Sequence, residues 1–176
     1  MFMNILLLGG NSQRNMQWIH QLGEELSPQF DTCTVHDYLH WNGKGNFIDF
    51  TAELSRLSDV VVNLDNYVIF AKSVGSLLTL RGISAGIMKP KKCIFAGLPI
   101  KLAEEDNVPL IELLKKNSIP TLILQNTLDP TASYDKMQSY IFSTGAINYR
   151  THEFDGDTHS YDNFNEIKQV VRSFVD

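Results

Sequence analysis

The chain has 176 residues, of which 43% are hydrophobic and 20% are charged, and its formal net charge is −5. This length suits one domain spanning residues 1–176, which can bury a core without disulfide or metal staples. The densest basic cluster is only Lys89, Lys91 and Lys92. Nucleic-acid binding needs more clustered cations than this, so we expect no nucleic-acid partner.

The cysteines and the N-terminus bear on the compartment. Cys33 and Cys93 lie in apolar runs, where a thiol usually behaves as a small buried side chain, and this argues against a disulfide or a CxxC metal site. The N-terminal MFMNILLLGGN lacks a basic segment and a cleavage site. No run approaches the ~20 apolar residues of a membrane span. We therefore expect a cytoplasmic protein without a membrane span.

Short apolar runs alternate with segments of helical period. The runs predicted as strands are NILLLG (4–9), DTCTVHD (31–37), YVIFA (67–71), KCIFAG (92–97), TLILQ (121–125) and INYRTHEF (147–154). The amphipathic segments predicted as helices are 12–26, 47–62, 74–87, 109–117, 132–143 and 162–175. Most of the strands are apolar throughout, as in a parallel sheet buried on both faces. This alternation predicts an α/β fold with a doubly wound parallel sheet, which binds ligands at the carboxyl ends of its strands.

Two of these strand ends contain partial phosphate-loop patterns. AKS, residues 71–73, mimics the GKS of a P-loop, but the apolar VIF stands where a glycine-rich loop should precede the lysine. The first strand ends in GGN, which lacks the third glycine of GxGxxG. Neither pattern supports a nucleotide site.

The third strand ends at Ser73, on a predicted strand-to-helix turn. A serine nucleophile on such a turn needs small residues two positions before and after it, and Ala71 and Gly75 supply them. The turn would raise the hydroxyl above the sheet and aim the amide of Val74 at an oxyanion. The competing interpretation is a helix N-cap, in which the Ser73 side chain accepts a hydrogen bond from a free amide of the next helix.

Two later strand ends supply the groups that activate a serine. Asp129 lies on a turn fixed by Pro130, and His159 lies in a loop that Gly156 can bend. A serine needs a base to take its proton and a carboxylate to orient that base. Ser73, Asp129 and His159 therefore occur in the order nucleophile, acid, base.

The segment HEFDGDTH, residues 152–159, also offers side chains of the kind that bind metals. A metal ion needs three or four converging ligands, but His152 lies within the predicted strand, away from His159. The segment also lacks a twelve-residue calcium loop. We expect no metal here, and Asp155 and Asp157 remain alternative residues for orienting the base.

Together these motifs resemble the α/β-hydrolase family. LLLGGN is similar to its first oxyanion turn, AKSVG to its nucleophile elbow, LILQNTLDP to its acid turn and FDGDTHSY to its histidine loop. The resemblance implies a minimal three-layer sandwich, with a six-stranded parallel sheet of order 2-1-3-4-5-6 and helices on both faces. It also implies that Ser73 is the nucleophile, Asp129 the acid and His159 the base, with no metal or organic cofactor. The amides of Asn11 and Val74 would form the oxyanion hole.

The chain also departs from the family pattern. Ala71 replaces the first glycine of Gly-x-Ser-x-Gly, and Gly9 stands where the family often has His. Lys72 occupies the variable elbow position, where we expect it to pair with a surface carboxylate rather than with an anionic substrate. Residues 98–109 are the only room for a lid, which favours an open, shallow site.

The sequence thus predicts a serine hydrolase of carboxylesterase or thioesterase type, which cleaves an ester or thioester of a small acyl substrate through an acyl-enzyme. Two alternatives stay open: a non-catalytic hydrolase-like binding or scaffold protein, and a flavodoxin-like binding domain. The second leaves the ordered Ser73, Asp129 and His159 unexplained. The sequence does not indicate the acyl group, the leaving group or the oligomeric state.

Overall fold

The computed structural model describes residues 3–43 and 45–176. The strands are β1 (Asn4–Leu8), β2 (Cys33–His36), β3 (Tyr67–Lys72), β4 (Lys92–Ala96), β5 (Thr121–Asn126) and β6 (Tyr149–Phe154). The helices are α1 (Arg14–Leu26), α2 (Phe50–Val61), α3 (Val74–Ser84), α4 (Ile100–Glu105), α5 (Leu110–Lys116), α6 (Tyr134–Thr144) and α7 (Phe164–Val175). Short 3₁₀ helices lie at Ser27–Gln29 and Leu39–Asn42.

The strands form one parallel sheet in the order β2-β1-β3-β4-β5-β6. Helices α1 and α7 pack together, and α2, α3, α5 and α6 form a second chain of contacts, so both faces of the sheet are covered. The predicted doubly wound sandwich and its strand order are confirmed. The chain leaves β1 for β2 and returns to β3, so the order reverses beside the carboxyl ends of β1 and β3, where such sheets bind ligands.

The central strands form the core because their apolar side chains face helices on both sides. Ile5–Leu8 and Val68–Ala71 are fully buried, as the continuous apolar runs predicted. Removing apolar surface from water stabilises the fold by about 25 cal/mol per Å². The core therefore holds rigid the strand ends that carry the polar residues of interest.

Residues 98–109 are the segment that the sequence offers as the only room for a lid. They include α4, a helix that the sequence did not predict, and its residues Ile100 and Ala103 are buried. The segment therefore packs against the core through these two side chains.

Within the described residues, no helix combines the length and apolar character needed to cross a bilayer.

Candidate active site

Ser73 occupies a sharp turn between β3 and α3. Its φ of 52° and ψ of −121° lie outside the regions that residues with a Cβ favour, as expected for a serine on a strained strand-to-helix turn. Its amide donates to the carbonyl of Ala96 at 2.9 Å, which ties the turn to the end of β4. Its side chain makes no capping hydrogen bond to α3, so the N-cap interpretation has no support.

The residues near Ser73 are small because the backbone of β1 passes close by. A Cβ on Gly75 would lie 2.7 Å from the carbonyl oxygen of Gly9 and 2.8 Å from that of Leu8, which is too close for any side chain. Ala71 is fully buried and in register with Leu8. The close packing of the turn against β1 explains the small residues that the sequence places on either side of the serine.

Asp129 and His159 come together beyond the ends of β5 and β6. His159 Nδ1 lies 2.7 Å from Asp129 Oδ2. The buried carboxylate also accepts hydrogen bonds from Thr131 N (2.8 Å), Thr131 Oγ1 (2.7 Å) and Tyr161 OH (2.7 Å). Burial acts to raise the pKa of Asp129, but the hydrogen bond and charge of His159 and the two hydroxyl donors together hold it below its ordinary value. Asp129 is therefore ionised near neutral pH and orients the imidazole.

The other ring nitrogen of His159 is available for proton transfer. Because the ionised Asp129 can only accept, Nδ1 carries the proton, and in the neutral ring Nε2 then presents a lone pair. Nε2 is buried and has no hydrogen-bond partner within the described residues. Among the described residues, no hydrogen bond joins His159 Nε2 to Ser73 Oγ. In enzymes, such contacts often tighten only when substrate binds.

Gly97, just after β4, brings the imidazole of His159 close to the serine turn. A Cβ on Gly97 would lie 2.6 Å from His159 Cε1, and the φ of 65° also favours glycine. The preceding residue, Ala96, accepts the amide hydrogen bond of Ser73. The serine turn and the imidazole therefore both lie beside the same end of β4.

Asn126 and Tyr161 hold the histidine loop in place, and the sequence did not identify either role. Asn126 Nδ2 donates to the carbonyls of Thr158 (2.8 Å) and Ser160 (2.9 Å), which flank His159. Tyr161 OH donates to Asp129 and accepts from the amide of Asn126 at 3.2 Å. These three partners of Asn126 all lie more than 30 residues away along the chain, so no local motif marks them.

The alternative assignments in the histidine loop find no support. Asp155 and Asp157 are exposed, and neither contacts His159 through a hydrogen bond within the described residues. The part of the chain that the structure describes contains no group of three His, Cys, Asp or Glu side chains placed to hold a metal ion. A cavity of about 150 Å³ lies beside this loop, but neither Ser73 nor His159 lines it.

Asn11 follows β1 and is held by the 3₁₀ helix Leu39–Asn42. Its carbonyl accepts hydrogen bonds from His40 Nε2 (2.6 Å) and Trp41 Nε1 (3.1 Å). Within residues 3–43 and 45–176, the amides of Asn11 and Val74 donate no hydrogen bond. Their role as oxyanion donors stays a prediction, and both groups have the free N–H that this role needs.

The expectation that Lys72 pairs with a surface carboxylate is wrong. The side chain is only 6% exposed, and its Nζ donates to Asn15 Oδ1 at 2.7 Å. The ammonium also lies 5.1 Å from the ring centroid of Trp18. Burial lowers the pKa of Lys72 to about 8, although the negative charges of Asp162 and Asp129 act in the opposite direction. Lys72 thus contacts α1 at Asn15 and Trp18.

Solved structures match this fold over nearly the whole chain, although no protein-family model and no curated protein matches it. A cold-adapted esterase from an Arctic intertidal metagenomic library is 16% identical, with 99% of this chain and 81% of that one covered and a TM-score of 0.71. Est1E from Butyrivibrio proteoclasticus, solved with ferulic acid, is 16% identical, with coverages of 99% and 88% and a TM-score of 0.72. A Xanthomonas campestris pv. campestris protein placed in the α/β hydrolase superfamily is 17% identical, with coverages of 98% and 95% and a TM-score of 0.71. These similarities confirm the fold that the motifs predicted.

Proposed function

Because the chain has the α/β-hydrolase fold, we propose that it is a serine hydrolase that cleaves an ester or thioester of a small acyl substrate. One observation carries the proposal: the imidazole of His159, held by Asp129 and with a buried Nε2 that has no hydrogen-bond partner within the described residues, lies beside the same end of β4 as the strained turn of Ser73. In this reaction Ser73 is the nucleophile, His159 the base and Asp129 the orienting acid. No metal or organic cofactor is required.

The acylation step transfers one proton and exchanges one bond. Ser73 Oγ attacks the carbonyl carbon of the substrate, and the hydroxyl proton passes to His159 Nε2. The tetrahedral intermediate collapses when the bond to the alkoxide or thiolate breaks, and the leaving group takes the proton from Nε2. The acyl group then remains on Ser73 as an ester.

Deacylation repeats these steps with water as the nucleophile. Water gives a proton to His159 Nε2 and its oxygen bonds to the acyl carbon. Collapse of the second tetrahedral intermediate breaks the bond to Ser73 Oγ, which recovers the proton as the carboxylic acid departs. Throughout, Asp129 stabilises the imidazolium without taking its proton.

The amides of Val74 and Asn11 are the proposed donors to the oxyanion of both intermediates. Val74 begins α3, so its N–H has no partner within the helix. Such donors act mainly on charge that develops in the transition state, and removing one typically lowers kcat by ~10²- to 10³-fold. Because the similar structure from the Arctic metagenomic library is a cold-adapted esterase, an ester is the favoured substrate class.

A fluorophosphonate probe tests the nucleophile directly, because it phosphonylates only an activated serine. We expect the wild type to be labelled and Ser73→Ala to lose all labelling. Ser139→Ala is the matched control, since Ser139 is exposed on α6 and distant in the fold. This variant should be labelled as well as the wild type.

Two results of the same experiment would contradict the proposal. If folded wild-type protein is not labelled between about pH 6 and 9, the non-catalytic binding or scaffold role is supported instead. Labelling that persists in Ser73→Ala would place the nucleophile at another residue. A panel of short acyl esters and thioesters, assayed with the labelled protein, then identifies the acyl and leaving groups.

A further inference from the structure

Lys72 is a buried cation directly before the proposed nucleophile, and the mechanism above does not use it. Its side chain is 6% exposed. Placing an ammonium in a poorly hydrated site is costly unless other groups compensate. The groups around Lys72 therefore indicate what this placement achieves.

The Lys72 ammonium contacts two residues of α1. Its Nζ donates to Asn15 Oδ1 at 2.7 Å and lies 5.1 Å from the ring centroid of Trp18, within cation–π range. The amide of Asn15 is oriented unambiguously, because its other end, Nδ2, donates to the carbonyl of Ser12 at 3.2 Å. Lys72 can only donate and the carbonyl can only accept, so a flipped amide would lose both bonds.

Asn15 in turn contacts the chain on both sides of Asn11. Besides the Nδ2 bond, its backbone amide donates to the carbonyl of Ser12 at 2.8 Å. Its side chain also packs on Gly10, where a Cβ would lie 2.9 Å from Asn15 Nδ2. The turn at residues 10–12 is thereby held against α1, while His40 binds the carbonyl of Asn11 from another element.

We propose that Lys72 is a positioning residue, which acts through Asn15 to hold the turn at residues 10–12 and so aims the Asn11 amide at the oxyanion formed on Ser73. This inference rests on the proposed function. Lys72 is adjacent in sequence to the nucleophile, so it joins the serine turn directly to the turn that carries the second oxyanion donor. The Lys72 side chain thus contributes to the distance between the amides of Asn11 and Val74.

The central test separates kcat from KM in Lys72→Met and Asn15→Ala. An oxyanion donor acts in the transition state, so misplacing it should lower kcat by about 10- to 100-fold and change KM by about twofold or less. The double variant should lose little more than either single variant, because both changes break the same contact. Lys116→Met, at an exposed position of α5, is the matched control and should keep wild-type kcat.

Asn15→Asp distinguishes positioning from a general contribution to stability. Aspartate still accepts a hydrogen bond from Lys72 and adds an opposite charge, so the variant should fold at least as well. It has no donor for the carbonyl of Ser12, however, and places two oxygen atoms together there. We expect kcat to fall about as far as in Asn15→Ala. Wild-type kcat in both Asn15→Asp and Lys72→Met overturns the inference.

Amide hydrogen exchange tests the contact without any substrate. Peptides covering residues 9–15 should exchange faster in Lys72→Met and Asn15→Ala than in the wild type or Lys116→Met. Faster exchange in these two variants, together with no fluorophosphonate labelling of the wild type, would support the contact while the hydrolase proposal fails. Unchanged exchange and unchanged kcat, with Ser73 still labelled, would refute the role of Lys72 and leave the proposed function intact.

Discussion

Two buried charges lie at the same edge of the sheet, Lys72 at the end of β3 and Asp129 after the end of β5, and their surroundings differ. Asp129 receives four hydrogen bonds, from His159, Tyr161 and two groups of Thr131. Lys72 has one amide oxygen, on Asn15, and the face of an indole. Both pKa values are lowered, but this favours the charged form of the acid and the neutral form of the base.

The difference shows which charge the fold is built to keep. A fully bonded carboxylate holds its charge and its orientation at neutral pH, and the imidazolium proposed to form on His159 needs both. The ammonium of Lys72 is retained at a cost in stability, so its value lies in where it holds Asn15. Variants at the two positions should therefore behave differently.

Asp129→Asn removes the charge of the carboxylate that accepts four hydrogen bonds. The amide of asparagine can turn its NH₂ toward His159, which favours the tautomer with the proton on Nε2 and removes the base. We expect kcat for ester hydrolysis to fall by about 10³- to 10⁴-fold. The measurement is steady-state hydrolysis of a short p-nitrophenyl ester.

The control for this change is Asp157→Asn, in the same loop as His159. Asp157 is exposed, so its variant should keep kcat within about twofold of the wild type. If Asp157→Asn lost activity and Asp129→Asn kept it, the orienting acid would be Asp157 instead.

The pH dependence of the unfolding free energy should reveal the lowered pKa of Lys72. Its pKa is about 8 in the folded protein against the ordinary value of 10.5, so between these values the unfolded chain binds more protons. Stability from this group therefore rises with pH across that window. Relative to Lys72→Met, the wild type should gain about 2 to 3 kcal/mol of unfolding free energy between about pH 7 and 10.

Urea denaturation of both proteins across this range measures the gain. Taking the difference between the two curves cancels the titration of the cysteines and tyrosines. Lys116→Met should give a curve parallel to the wild type, because Lys116 is exposed. A constant difference between wild type and Lys72→Met would contradict the lowered pKa of Lys72.

Tyr161→Phe should weaken the hydrogen bonding of Asp129 without removing its charge. The change deletes one hydrogen bond to Asp129 and leaves the amide of Asn126 without its acceptor, so we expect the unfolding free energy to fall by about 2 kcal/mol. The pKa of Asp129 should rise, which shifts the acid loss of stability to higher pH. Tyr140→Phe is the control, because burial is the largest cause of the raised pKa of Tyr140 and no hydrogen bond contributes to it.

Much of the fold follows from local patterns. The apolar runs predicted all six strands, with differences of a few residues at their ends, because strands buried on both faces need continuous apolar sequence. Among the α-helices of the described residues, α4 alone was missed, since its six residues are too few to show a helical period. Ala71 and Gly75 were also readable, because a strained serine turn against β1 leaves no room for larger side chains.

The sheet, the serine turn and the order of Ser73, Asp129 and His159 could thus be predicted from the residue pattern. Which side chains pair became visible in the folded chain: His159 binds Asp129, and Lys72 binds Asn15 rather than a carboxylate. The physical reason is that backbone geometry follows from residues a few positions apart, whereas a hydrogen-bond partner depends on how distant segments pack. For Lys72, that packing turned an expected surface cation into a buried one.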